Sequence, residues 1–520
     1  MLWPRWLFLR AVGLIFLSAF YSLAFQIQGL IGEHGILPAD AYLRAVARAV
    51  PGFSHYWLVP TVLWSGAGDW ALAALVAVGA VAATLLTLNV SPRVMAGLST
   101  VAFLSCATAL QDFSSYQSDS MLLQAGVAAV LLAPKGWRPR LGAATPPSRA
   151  SVWLLRWEWF AIYFESGLVK LMSGDVQWRT LSAMDHYYED SPLPAWPGWY
   201  AQQLPHAFHA GTVLLTFALE LVGPWVLFAP RRARLVAAGI VTVFQISIIV
   251  TSNYAFLNCL VLALGAFLLD DASVRGVGDG AMRQLRCLAG SAWERMAGVA
   301  HWPRGGGGRG GARIAGGVPA VERPERWRGR ASALVLVVTV YVGLTEFAPY
   351  SLPDWARAPA RWLAPFRVAN AYGLYAVMTT AEYEIEFQGL GTDSAWVAYP
   401  FRYKPQDPAV APAVYTPYQP RFEWNLWFAS LGSWSDSPWV VSTQIALLNN
   451  DPSVLRLFAR NPFAGRPPEA VRSVLWRYWF TDRATRRRTG QWWNRELIGA
   501  YGGTVTRSPD GGLRFAPPGS

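Results

Sequence analysis

Lys170 lies inside one apolar run of the chain and Glu220 inside the next. An ionisable side chain in a membrane span costs about 2.5 to 3.5 kcal/mol on insertion scales, so a sequence keeping several must pair them or line a wet cavity. Offsets of three, four and seven put Tyr163, Ser166, Gly167 and Lys170 on one side of a helix, with Glu158 and Glu165 on another. Lys170 then has three readings. Its stem can carry the ammonium to the nearby outer end of the span. It can form a structural ion pair with Glu220. Stripped of water, it can act as a base or nucleophile, and Lys170, His186 and Glu220 are then the candidate catalytic set.

The loop after Lys170 also holds Asp185, Glu189, His206 and His209. His-x-x-His sets two rings on one helical face, yet a metal site needs three or four convergent ligands, and the sequence has neither HExxH nor CxxC. No metal and no cofactor is expected. Pro192, Pro194 and Pro197 stiffen the loop ahead of a segment whose Trp196 and Trp199 suit the headgroup layer. A P-loop, a GxSxG and a GxGxxG followed by an acid are all missing, so nucleotide-driven transport and serine hydrolysis lack support. No inverted pair of Gly-broken spans points to a transporter. Gln111, Asp112, Gln117, Asp119 and Gln124 gather around one turn, and Gln245, Asn253 and Asn258 around another. Interhelical hydrogen bonds of about 0.6 kcal/mol each are their ordinary reading, and a polar-lined cavity the other.

The elements that carry these residues follow from composition. Of 520 residues, 53% are hydrophobic and 15% charged, below the roughly 25% of soluble domains, which excludes an ordinary soluble enzyme. Three cysteines, Cys106, Cys259 and Cys287, exclude a disulfide scaffold. Apolar stretches at 6–26, 70–89, 93–111, 119–133, 152–172, 209–229, 234–251, 255–270 and 331–350 make about nine transmembrane helices. The first is longer than a signal-peptide core and reads as a retained span, although Ser22 and Ala24 imitate a cleavage site.

Arg5 and Arg10, then Lys135, Arg138, Arg140 and Arg149, then Arg231, Arg232 and Arg234 fall on alternate connections, and the intervening loop 173–208 is acidic. The basic side is cytoplasmic, which places the segment after 350 outside. Residues 271–330, with the run RGGGGRGGAR, form an Arg/Gly-rich cytoplasmic linker. Its charge suits anionic lipid, and no nucleic-acid partner is expected. The domains are thus a transmembrane part over 1–270, the linker, a last span over 331–350 and an outer domain over 351–520. In the outer domain, Tyr383, Ile385 and Phe387 alternate with Glu382, Glu384 and Glu386, which predicts a strand with one buried and one wet face. A hairpin partner follows at 397–403, helical spacing at 440–448 and 453–459, and another strand at 476–480. Trp424, Trp427, Trp434, Trp439, Trp492 and Trp493 read as core. The fold class is an all-α polytopic membrane bundle with a C-terminal exoplasmic β-rich mixed domain.

Several long blocks, in order, resemble the lipase maturation factor family: QIQGLIGEHGILPA at 26–39, QSDSMLLQAG at 117–126, SGLVKLMSGDVQWRTLSAMDHYYEDSPLP at 166–194 and SNYAFLNCL at 252–260. NAYGLYAVMTTAEYEIEFQG at 370–389, YPFRYKP at 399–405, YQPRFEWNLWFAS at 418–430, RNPF at 460–463 and GQWW at 490–493 continue the match. The resemblance implies a multi-pass membrane protein that assists folding or assembly of exported proteins, lipases among them. Its partners would be membrane lipid and an exported client, met by the C-terminal domain through Arg421, Trp424 and Trp427. Ser118, Gln124 and Glu423 depart from the family's usual Trp, Glu and Asp, which weakens any polar role for positions 124 and 423. The Arg- and Ala-rich composition resembles a bacterial member, implying the plasma membrane; a eukaryotic one would sit in the endoplasmic reticulum. Tyr163, Gly167, Lys170 and Trp178 are also distantly similar to the membrane part of vitamin K-dependent carboxylases. That implies the alternative of a membrane-embedded enzyme acting on a lipid or quinone-like substrate, with Lys170 as base.

Overall fold

A computed structural model describes residues 1–276, 326–347 and 352–517. Most of the linker, 277–325, lies outside these described residues, as does the end of the last expected span at 348–350. Each apolar run is helical: α1 (Leu2–Ile31), α2 (Asp69–Thr87), α3 (Pro92–Ala109), α4 (Gln117–Leu132), α5 (Arg149–Met172), α6 (His206–Phe217), α7 (Arg231–Thr251), α8 (Leu257–Gly265) and α9 (Arg326–Phe347). The α6 helix runs on through a π-helical turn, Ala218–Val222, and a 3-10 segment, Gly223–Phe228, where Pro224 lacks an amide hydrogen. Among the described residues, five helices are long and apolar enough to cross a membrane: Leu2–Ile31, Asp69–Thr87, His206–Phe228, Arg231–Thr251 and Arg326–Thr345. The α4 and α8 helices are short, and α5 carries Arg156, Glu158, Glu165 and Lys170.

The helices pack closely where small residues let backbones approach. A Cβ built on Gly79 of α2 would stand 2.2 Å from Cζ of Phe20 on α1, so a larger residue there would push the two apart. The ends of the helices sort into two groups. At one end the N-terminal ammonium meets Asp271 at 2.5 Å, Arg5 donates to the carbonyls of Gly142 and Thr145 at 2.9 and 2.7 Å, and Asn89 donates to the Arg140 carbonyl at 2.8 Å. Arg231 pairs with Asp270 at 2.5 Å, and Arg328 donates to the Ala133 carbonyl at 2.8 Å, on the same side. The C-terminal region sits on the opposite ends.

That region is built on one antiparallel sheet, ordered β2-β1-β3-β4-β5, from β1 (Glu382–Leu390), β2 (Trp396–Ala398), β3 (Ala470–Phe480), β4 (Trp493–Arg507) and β5 (Leu513–Ala516). Helices α10 (Arg421–Ser430) and α11 (Trp439–Leu448) pack on it. The β1–β2 hairpin is shorter than its alternation predicts: only Gln388–Leu390 pair with Trp396–Ala398, and β3 is the main partner of β1, with Ile385 opposite Leu475. The helical spacing at 453–459 yields one turn, Pro452–Leu455.

The wet face expected for β1 does not exist. Glu382, Glu384 and Glu386 are 0, 2 and 5% exposed, because α10 and the 402–406 segment cover that side. The Trp427 indole donates to Glu382 Oε2 at 2.8 Å, Lys404 pairs with Glu384, and Gln406 donates to Glu386 Oε2 at 3.0 Å. Period-two alternation reports a change of face, but a polar partner on the covering element buries a carboxylate as fully as a leucine.

Candidate functional site

The C-terminal region is fastened to the helix ends by buried polar bonds. Arg421, at the start of α10, grips Asp119 of α4 with both terminal guanidinium nitrogens, at 2.6 and 2.8 Å, and donates to the Phe113 carbonyl at 2.9 Å. Both partners are 0% exposed, and Ser114 donates to the same carboxylate at 2.7 Å. A bidentate pair with its lone pairs occupied is the geometry in which burial of two charges is sustained. Gln124 Oε1 on α4 accepts from the Asn370 side chain, at 3.0 Å, its backbone N–H, at 3.1 Å, and the Tyr372 hydroxyl, at 3.0 Å. Glu165 of α5 accepts from the Tyr372 backbone at 2.8 Å, and the Asn253 side chain accepts from the Tyr415 N–H at 3.0 Å and donates to the Ala413 carbonyl at 2.8 Å.

Where the two regions meet there is a cavity of about 660 Å³. One wall is Tyr163, Ser166 and Lys170 of α5; another is α6, Glu220 and α7; Trp178 and the 373–379 segment form an upper wall, and Trp424, Trp427, Phe428 and Leu431 close the top. The helical face anticipated for Tyr163, Ser166 and Lys170 therefore lines one space. Gly167 lies beside it against the π-turn, where a Cβ would come within 2.8 Å of Glu220 Cβ. That close approach brings Lys170 onto Glu220, at 2.9 Å to both carboxylate oxygens, with the Leu374 carbonyl as a third acceptor at 2.9 Å. Lys170 is 3% exposed and lies 5.2 Å from the Trp178 ring centre. Lys170 is held in a buried ion pair, with three acceptors for its ammonium, rather than snorkelling outward. Deeper in, Gln245 donates to the Tyr163 hydroxyl and accepts from Asn258, each at 2.7 Å.

The other anticipated residues are distributed differently. His186 does not line the cavity. Its neighbour Asp185 holds His206 and His209 by their Nδ1 atoms, at 2.7 and 2.8 Å, and no group of three metal-type ligands occurs among the described residues. Trp196 is exposed, but Trp199 is 2% exposed, packed on Trp492 with the Arg486 guanidinium 4.8 Å from its ring. Arg421, Trp424 and Trp427 are not presented to solvent: the first is locked on Asp119, and the other two are under 10% exposed, with their rings on the cavity roof. Positions 124 and 423 do carry polar work. Glu423 accepts three backbone N–H bonds, from Arg402, Tyr403 and Lys404 at 2.9, 2.8 and 2.7 Å. Burial pushes its carboxyl up to about 7 against the pull of those donors. Asp190 counts in the sequence only as one of the acids of loop 173–208. It is 4% exposed with neither oxygen bonded, and burial, with Glu189 nearby, pushes it up to about 8.

These features define an apolar helical membrane protein whose C-terminal sheet domain is locked onto the helix ends above a lined cavity. Comparison with known proteins supplies the family. Residues 3–276 match the family model described as the lipase maturation factor transmembrane domain, and residues 368–503 match the lipase maturation factor C-terminal domain. Lipase maturation factor 2 of Homo sapiens is 31% identical over 595 aligned residues, covering 95% of this chain and 81% of that one. Lipase maturation factor 1 of Bos taurus is 31% identical over 96% of this chain and 88% of its own. Lipase maturation factor 2 of Gallus gallus is 32% identical over 97% and 81%. No solved structure matches. The chain belongs to the lipase maturation factor family.

Proposed function

We propose that this protein is a membrane-embedded maturation factor for lipases, with its C-terminal domain facing the compartment into which the client emerges. The observation that carries this reading is the near end-to-end similarity, over both the helical and the sheet part, to proteins named as lipase maturation factors. In this reading all nine helices cross the bilayer. The basic connections are held together at one end, by Arg5, Arg231 and Arg328, and the sheet domain stands at the other, the arrangement that the positive-inside rule asks of a cytoplasmic N-terminus. The Arg/Gly-rich linker 271–330 is then cytoplasmic, where its charge suits anionic lipid and no nucleic-acid partner is expected.

The block around Arg421 acts by docking the domain, and Trp424 and Trp427 by roofing the cavity. Direct contact with an incompletely folded client falls to apolar side chains left outside: Phe428 and Leu431 on the cavity roof, 46 and 45% exposed, and Leu497 and Ile498 on β4, 52 and 51% exposed. Such surfaces cover the apolar patches of a folding intermediate and keep it from aggregating. Deleting the gene and measuring exported lipase tests this: amount unchanged with specific activity lost supports it, and full specific activity would overturn it. Full activity with Leu497→Asp and Ile498→Asp at normal abundance would remove the β4 surface from the account.

A further inference from the structure

We infer that the cavity is a binding site for an uncharged acyl lipid, entered sideways from the outer half of the bilayer between α6 and α7. The two helices meet at their inner ends, through Gly223–Phe228, but do not pack along each other toward the outer side. The gap between them is the entrance. Phe208 and Leu215 of α6 belong at once to the cavity wall and to the outer surface of the bundle, 46 and 45% exposed, and exposed Ser247 of α7 faces them across the gap. Above it the short helix Trp196–Gln202 closes over the outer end of α7, where a Cβ on Gly198 would be 2.7 Å from the Thr251 carbonyl. At this depth the surrounding solvent is hydrocarbon, so a side entrance admits an acyl chain before any peptide or solute. The volume, about 660 Å³, lies within the roughly 300 to 1,000 Å³ of small-molecule sites, and the lining is chiefly apolar and aromatic.

The polar groups select the headgroup. Lys170 is neutralised by Glu220, so the site offers no net charge for an anion. One and two turns inward on the same face, Ser166 Oγ is 2% exposed with no hydrogen-bond partner, and the Tyr163 hydroxyl accepts from Gln245, which leaves its own proton free to donate. Two hydroxyl donors on an apolar wall suit the ester carbonyls of a glyceride. A buried hydroxyl without a partner is unfavourable, and a carbonyl supplied by the ligand removes that cost.

Photo-crosslinking of the purified full chain in nanodiscs, with a diacylglycerol bearing a mid-chain diazirine, tests the site without any lipase, so its outcome is independent of the maturation role. Saturable labelling of peptides within 206–216 and 244–254 is expected, displaced by unlabelled diacylglycerol but not by phosphatidylglycerol. Ile248→Trp, which fills the cavity, should lower it about tenfold at matched abundance. Ser166→Ala and Tyr163→Phe, which remove only hydroxyls, should weaken competition by diacylglycerol severalfold while sparing that by an alkane of equal length. Non-saturable labelling, labelling spread over the lipid-facing sides of α2 and α3, equal competition by phosphatidylglycerol, or indifference to all three substitutions would each overturn the proposal.

Discussion

Two buried ion pairs link distant parts of this chain, and their surroundings differ. Arg421–Asp119 joins the sheet domain to α4 with both residues 0% exposed, and every neighbour is protein. Lys170–Glu220 joins α5 to the π-turn after α6 beside a cavity, and Glu220 keeps 12% of its surface exposed. The first has no water to fall back on when a partner is lost; the second has a space beside it that can admit some. An ion pair whose failure is costly is suited to holding two regions in one arrangement, and one beside a cavity is suited to shaping a site.

Substitutions should separate the two. Arg421→Met leaves Asp119 uncompensated in a dry interior, and a loss of about 3 to 5 kcal/mol is expected, read as a lowered unfolding midpoint and rapid proteolysis of the sheet domain. Arg421→Lys should not rescue it, since an ammonium cannot make the two-pronged contact. Lys170→Met should cost less, about 2 to 3 kcal/mol, and the double variant Lys170→Met with Glu220→Met should recover most of the abundance. Equal losses at the two pairs would end the distinction between them.

Gln124→Leu removes one acceptor from three donors that tie the 370–372 segment to α4, and about 1 to 3 kcal/mol should be lost, whereas Gln124→Glu should be tolerated. The remaining effect is a slope with pH. The Asp190 carboxyl is pushed up to about 8 from 3.8, so the folded chain keeps a proton that the unfolded chain releases. Its contribution to stability is greatest below the unfolded value and declines as pH rises toward 8, by at most about 1.4 kcal/mol per pH unit. Unfolding of wild type and Asp190→Asn between pH 5 and 8 should differ by that slope, and parallel curves would contradict the assignment.

The helices were readable because a long apolar run admits few structures, and each of the nine runs is a helix. The Lys170–Glu220 pair was readable too, since two opposite charges in consecutive apolar runs have few other partners. What covers a strand was not readable. Glu382, Glu384 and Glu386 alternate as a solvent face would, yet Lys404, Gln406 and Trp427, all distant in sequence from β1, enclose them. The same blindness hid Arg421. An arginine in an aromatic block resembles an exposed recognition residue until Asp119, 302 positions away, is seen beside it. The cavity was foreshadowed on one wall by the spacing of Tyr163, Ser166 and Lys170, while its roof came from a region that local patterns could not connect to it.

The side of the membrane on which the sheet domain stands decides the account most directly. With the native cysteines replaced, single cysteines at exposed Thr392 in the β1–β2 turn and exposed Arg232 in the first turn of α7 can be probed by an impermeant maleimide in sealed cells or vesicles of known orientation. Labelling of Thr392→Cys from outside, and of Arg232→Cys only after permeabilisation, is the predicted result. The reverse pattern would leave the domain on the side where no exported lipase arrives, and would contradict the account.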